Sequence, residues 1–151
     1  MQKILVTGGA GFIASCLAEE LLNQGNEVVI VDNLLTGSLE KIPNHEKCSF
    51  FKCDVNNYNE IAEIMLLHKF DVVFHYAALV GVKRTLENPI SVLEDIDGIK
   101  NILNLSKNTG VKRIMYSSSS EVYGEPVEYP QNEETTPLNS RLPYAIVKNI
   151  G

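Results

Sequence analysis

Short runs of β-branched and aliphatic residues alternate along this chain with longer stretches whose apolar positions recur at helical spacing, and no other feature restricts the fold as much. Parallel strands cannot be joined by tight turns. Each pair needs a long crossover, usually a helix, and strands covered on both faces read as continuous apolar runs. The chain supplies both. Residues 3–7 form an apolar run closed by Gly8 and Gly9, after which Ile13, Leu17, Leu21 and Leu22 fall on one face of a helix ending at Gly25. Residues 27–31 give a second strand, 49–53 a weaker third, 71–75 a fourth and 113–117 a fifth. Between them, Ile61, Ile64, Met65 and His68 mark a helix over residues 59–68. A longer helix begins at Asn88-Pro89, where Asn can cap and Pro suits the first turn, and runs through Val92, Leu93, Ile96, Ile99, Ile102 and Leu103 towards Gly110. Pro126, Pro130, Pro137 and Pro143 crowd residues 124–143, which therefore read as an extended loop, and a last helix starts near Arg141.

The expectation is an α/β fold: a doubly wound parallel sheet with helices on both faces, forming one domain over residues 1–151. The net charge of −6 and the absence of a basic stripe disfavour nucleic acid as a partner, because such binding draws its affinity from clustered Lys and Arg. The first residues enter a strand pattern without a charged leader or a long apolar stretch, so no membrane is expected and a cytoplasmic address follows. Cys16, Cys48 and Cys53 are odd in number, lack a CxxC pair and have no His at ligand spacing. They read as reduced structural thiols rather than metal ligands.

The turn from Thr7 through Gly8, Gly9, Ala10 and Gly11 to Phe12 sits between the first strand and the first helix. A Rossmann-like fold needs backbone to approach a pyrophosphate at that place. Glycines remove the Cβ that would hold the phosphate away, and the free N–H groups of the helix start face the anion. Gly8 and Gly11 are the key positions. Asp32 lies at the end of the second strand, where an acid accepts hydrogen bonds from the adenosine ribose and repels a 2′-phosphate, so NAD is favoured over NADP. Asp54, ending the third strand, could accept from the adenine amino group or serve as a plain turn residue. Tyr144 and Lys148 share one helix face. A phenol, with an ordinary pKa of about 10, is a poor base at neutrality, and a neighbouring ammonium stabilises its phenolate. The serine run from Ser117 to Ser120 follows the fifth strand, where a hydroxyl can reach a substrate oxygen or simply bond to local backbone.

These residues resemble the extended short-chain dehydrogenase/reductases, specifically the NAD-dependent epimerase/dehydratase group acting on sugar nucleotides. The matching pieces follow the family's order: TGGAGFI at residues 7–13, DNLLTG at 32–37, DV at 54–55, HYAA at 75–78, SSSSEVYG at 117–124 and YAIVK at 144–148. The resemblance implies a catalytic triad of Ser119, Tyr144 and Lys148, and NAD contacts from Gly8, Gly11, Phe12, Ile13, Asp32, Asn33, Asp54, Val55, Ala77, Ala78 and Lys148. It implies that the chain is the N-terminal portion, without the substrate domain that the family's second half supplies. It also implies a nucleotide-sugar substrate and a homodimer. Two substitutions depart from the pattern: Ala14 replaces the usual third Gly, and Asp95 stands where an Asn is usual. Ser120 and Glu121 occupy the positions of the Asp-Glu pair of 4,6-dehydratases; Ser120 cannot act as the acid there, although Glu121 could still abstract a carbon-bound proton. Decarboxylases of the group carry a similar Ser-Glu pair, but their stretch after the His differs from HYAALVG at residues 75–81, so the expected activity is that of a 4-epimerase working through a 4-keto intermediate. The alternatives are a 4,6-dehydratase, a uronate decarboxylase, or a non-catalytic NAD-binding module.

Overall fold

The computed structural model describes residues 1–151. Five strands alternate with five helices: β1 (Lys3–Thr7), α1 (Phe12–Asn23), β2 (Glu27–Asp32), β3 (Cys48–Lys52), α2 (Tyr58–His68), β4 (Val72–His75), α3 (Val82–Glu87), α4 (Pro89–Thr109), β5 (Arg113–Tyr116) and α5 (Pro143–Ile150). Short 3-10 turns occupy Leu39–Lys41 and Ser120–Tyr123. The residues group into two compact units, one of Met1–Ala77 with Asp97–Tyr116 and the other of Ala78–Ile96 with Ser117–Gly151.

The first unit holds the sheet, in the order β3-β2-β1-β4-β5, with every pairing parallel. This is the doubly wound, Rossmann-like arrangement expected from the sequence. Because side chains alternate across a strand, β1 and β2 feed two cores. Ile4, Val6, Val28, Ile30 and Val72 meet Ala14, Ala18, Leu21 and Leu22 of α1 on one face. On the other, Leu5, Val29, Val31 and Val73 meet Ile61, Ile64 and Met65 of α2 and Ile102 and Leu105 of α4. That double burial is why these strands read as unbroken apolar runs. Helix α2 opens on an Asn57 side chain that accepts from the Asn59 N–H, while Glu60 reaches back to accept from Asn57 Nδ2 and the Asp54 N–H.

The second unit holds α3, the first turns of α4, the 3-10 turn after β5, and α5. Its proline-rich stretch has no strand or helix before Pro143, as expected. The stretch is pinned by the Glu128 carboxylate, which accepts from the Thr135 and Thr136 hydroxyls. Helix α3 was not legible in the sequence, since it has six residues and buries only Thr85. No helix is long and apolar enough to cross a membrane.

Leu5 is fully buried in the larger core, whereas Leu66 on α2 is exposed. Leu5→Ala should lower unfolding free energy by about 2–5 kcal/mol in urea titrations, and Leu66→Ala by less than about 0.5 kcal/mol. Equal losses would contradict the assigned core.

Candidate functional site

In the sheet-bearing unit the chain reverses its winding between β1 and β4, and open α/β sheets bind ligands at the carboxyl ends of such strands. Gly8 is required there on two counts. Its φ of +67° is in the left-handed region, and a Cβ would stand 2.8 Å from Ala77 N and 2.9 Å from Ala77 Cα. The corner is tied down by the Gly8 N–H donating to Val31 O at 2.8 Å and the Gly11 N–H donating to Gly8 O at 3.0 Å. Gly11 caps α1 without any side-chain hydrogen bond, so the first-turn N–H groups are left for an anion, and Phe12 (77% exposed) and Ile13 (65%) stand out from the helix start. These N–H groups have the chemistry to receive a pyrophosphate, and the corner that presents them closes against Ala77 only with Gly at position 8.

Thr7, at the end of β1, sequence reasoning passed over. It is fully buried, and its Oγ1 accepts from the Tyr76 and Ala77 N–H groups at 3.1 Å each while lying 2.7 Å from His75 Nδ1. An oxygen already accepting two N–H bonds donates its own proton to the third partner. His75 Nδ1 is therefore the acceptor, and the hydrogen-bond network assigns the ring as its neutral Nε2–H tautomer.

Asp32, 8% exposed, accepts from the Ala10 N–H at 3.0 Å and the Leu34 N–H at 2.7 Å. It thus bolts the glycine corner to the loop after β2, and each carboxylate oxygen keeps a second lone pair for a ligand. Gly37 lets that loop close over it: a Cβ there would lie 2.9 and 3.0 Å from the two carboxylate oxygens. The Ser38 N–H then donates to Ala10 O at 3.1 Å. Asp54 accepts from the Asn56 N–H at 2.9 Å, as a turn residue does, and from Asn33 Nδ2 at 3.2 Å. Val55 is buried in the larger core and half-buried Ala77 packs against it. Burial next to Glu60 and Asp54 pushes the Cys53 thiol up to about 12, which makes it inert.

In the second unit, which also contains the half-buried Ala78, Lys148 on α5 is only 5% exposed. Its ammonium donates to Ser117 O at 2.8 Å and Ser117 Oγ at 3.2 Å, and lies 5.9 Å from the centre of the half-buried Tyr144 ring. Burial pushes its pKa down, and the charge of Asp95 opposes that. Asp95 itself accepts from the Leu79 N–H at 2.7 Å. Ser119 accepts from the Glu121 N–H at 3.3 Å, capping the 3-10 turn, and Glu121 is exposed. Within the serine run it is Ser117, not singled out from sequence, that holds the lysine.

Residues 4–151 match the family described as the NAD dependent epimerase/dehydratase family. The UDP-N-acetyl-alpha-D-glucosaminuronate decarboxylase of Bacillus cytotoxicus is 39% identical, over 99% of this chain and 47% of that protein. The UDP-glucose 4-epimerase of Neisseria meningitidis serogroup C is 32% identical over 99% and 46%. Among solved structures, the Thermus thermophilus UDP-glucose 4-epimerase in complex with NAD superposes with a TM-score of 0.90 at 35% identity, covering 98% of this chain and 48% of that one. An epimerase from Methanothermobacter thermautotrophicus gives 0.92 at 33%, covering 99% and 45%. The chain thus spans about half the length of the relatives it matches. With the glycine corner, the acid at the end of β2 and the Tyr/Lys helix all in the matched region, this chain belongs to the NAD-dependent epimerase/dehydratase family.

Proposed function

We propose that these residues are the cofactor-binding and base-bearing portion of a sugar-nucleotide 4-epimerase, with a UDP-hexose as substrate. Lys148 carries this reading. A cation buried on Ser117 one helical turn after Tyr144 has a use at the site, since it stabilises a phenolate more strongly than a solvated lysine could. Gly8, Gly11, Phe12, Ile13, Asp32, Asn33, Asp54, Val55, Ala77, Ala78 and Lys148 would hold NAD. The chemistry that NAD supplies when bound is reversible hydride acceptance.

In this reading Tyr144, as phenolate, takes the proton of the sugar 4-hydroxyl as its carbon is oxidised, and the 4-keto-sugar forms. Ser119 donates a hydrogen bond to the reacting oxygen. Reduction on the opposite face, with Tyr144 returning its proton, inverts the carbon. The Ser120-Glu121 pair together with the 39% identical relative supports a second reading, uronate decarboxylation, in which loss of carbon dioxide follows the same oxidation.

The two readings separate in one assay of the native polypeptide that carries these residues, supplied with NAD and followed by proton NMR. UDP-glucose should yield UDP-galactose, while UDP-glucuronate should stay intact; carbon dioxide release from the uronate would replace the epimerase reading with the second. NAD binding by calorimetry without turnover of either sugar would leave a binding module. Tyr144→Phe should lower kcat by at least about a hundredfold while NAD still binds, because only the proton acceptor is removed. An unchanged kcat would end the assignment of Tyr144 as the base. Asp32→Ala should weaken NAD by tenfold or more, about 1.4 kcal/mol, and narrow the preference over NADP; an unaltered Kd in calorimetry would remove Asp32 from the site.

A further inference from the structure

The segment between β3 and α2 carries Asp54 and Val55, and the carbonyls of Val55 and Asn56 precede the Asn57 cap, outside the ladder of α2. Val55 is buried and Asn56 half-buried, so these carbonyls need donors from elsewhere in the fold. Asn101 of α4 supplies both: its Nδ2 donates to Val55 O at 2.9 Å and to Asn56 O at 3.2 Å. A carboxamide nitrogen carries two protons and can serve two successive carbonyls, which neither a hydroxyl nor a carboxylate can do. Helix α4 approaches this closely because Gly98, one turn earlier on the same face, has no side chain. A Cβ there would run into Asn56 Oδ1 and stand 3.1 Å from Val55 Cγ2. One peptide unit then links Asn101 to Asp54. The Val55 carbonyl that Asn101 holds shares a plane with the Asn56 N–H, and that N–H donates to Asp54 Oδ1 at 2.9 Å.

We propose that Asn101 is a positioning residue of the NAD site: by holding the Val55 and Asn56 carbonyls it fixes the peptide that aims the Asp54 carboxylate at the adenine amino group. It acts through Asp54, and the inference rests on the reading of Asp54 as the acceptor of that amino group. The chemistry of the side chain, more than its size, decides the effect. An Asp at position 101 is nearly the same shape but turns an oxygen towards two carbonyl oxygens, which repels the segment instead of holding it. A role confined to stability would weaken every dinucleotide alike. A positioning role removes the part of the affinity that depends on the adenine amino group.

The test is calorimetry on the native polypeptide that carries these residues, with NAD and with nicotinamide hypoxanthine dinucleotide, which has an oxygen where adenine has its amino group. The unsubstituted protein should prefer NAD by about fivefold or more, the range of one hydrogen bond to a charged acceptor. Asn101→Asp should lose most of that preference, while the Kd of the hypoxanthine dinucleotide changes by less than about twofold. Equal weakening of both ligands, or an unchanged preference, would overturn the proposal. Asp54→Ala separates it from the reading beneath it. If that variant loses the preference and Asn101→Asp keeps it, Asp54 stays in the site and only the role of Asn101 is lost. If the unsubstituted protein shows no preference, or binds neither ligand, the reading of Asp54 falls and the inference with it. A measurement on the unsubstituted protein covers failure of the variant to fold: the carboxamide protons of Asn101 should exchange with solvent at least about tenfold more slowly than those of the exposed Asn104, and equal rates would overturn the proposal.

Discussion

One buried hydroxyl holds the carboxyl ends of β1 and β4 together, and the nucleotide cradle depends on it. Beyond the end of β4 the Tyr76 N–H keeps only a long ladder bond to Thr7 O at 3.3 Å and the Ala77 N–H has left the ladder, and part-buried donors must find acceptors. Thr7 Oγ1 accepts both and passes its own proton to His75. The backbone of Ala77 is thereby drawn so close to the turn after β1 that position 8 has no room for a side chain. The glycine is a consequence of that closeness as much as an adaptation to phosphate. The same restraint supplies what a bound anion requires, namely a helix start with nothing in front of it.

From that point a continuous set of hydrogen bonds runs along the carboxyl edge of the sheet. Gly8 is bonded to Val31 at the end of β2, Asp32 to Ala10 and Leu34, Ser38 back to Ala10, and Asn33 to Asp54 after β3. All but the Ser38 bond join a residue expected to meet the cofactor to another such residue or to its immediate neighbour. Preorganisation of this kind lowers the ordering cost of binding, because the loops are already held in register before a ligand arrives. It also means that Asp32 has two tasks. Its removal leaves two backbone donors without their acceptor, so a loss of cofactor affinity on substitution includes loosening of the corner as well as loss of a ribose contact.

The strands were legible because a parallel strand buried on both faces leaves an uninterrupted apolar run, and β1, β2 and β4 do so. The long helices were legible from their period and, for α4, from the Asn88-Pro89 start. Helix α3 and the 3-10 turn at Ser120–Tyr123 are shorter than the period that would announce them. In the site, the glycine corner, Asp32 and the Tyr144/Lys148 pair could be read because their spacing along the chain is fixed by one turn or one strand. Thr7, Gly37 and Ser117 could not. Thr7 meets residues 68 to 70 positions away, Ser117 meets a lysine 31 positions away, and Gly37 matters only because its loop folds back over Asp32. No local pattern encodes such pairings.

Lys148 shows why those distant partners matter for chemistry. On the surface of a helix an ammonium one turn from a tyrosine would be hydrated, and its effect on a phenolate would be weakened by the dielectric of water. Held on Ser117 and almost inaccessible to solvent, it keeps its field, but the same burial works against its own charge. Any site that uses a buried cation to favour an anion therefore has to stabilise the cation first. Ser117 supplies dipoles for this without adding a second negative charge next to the phenol.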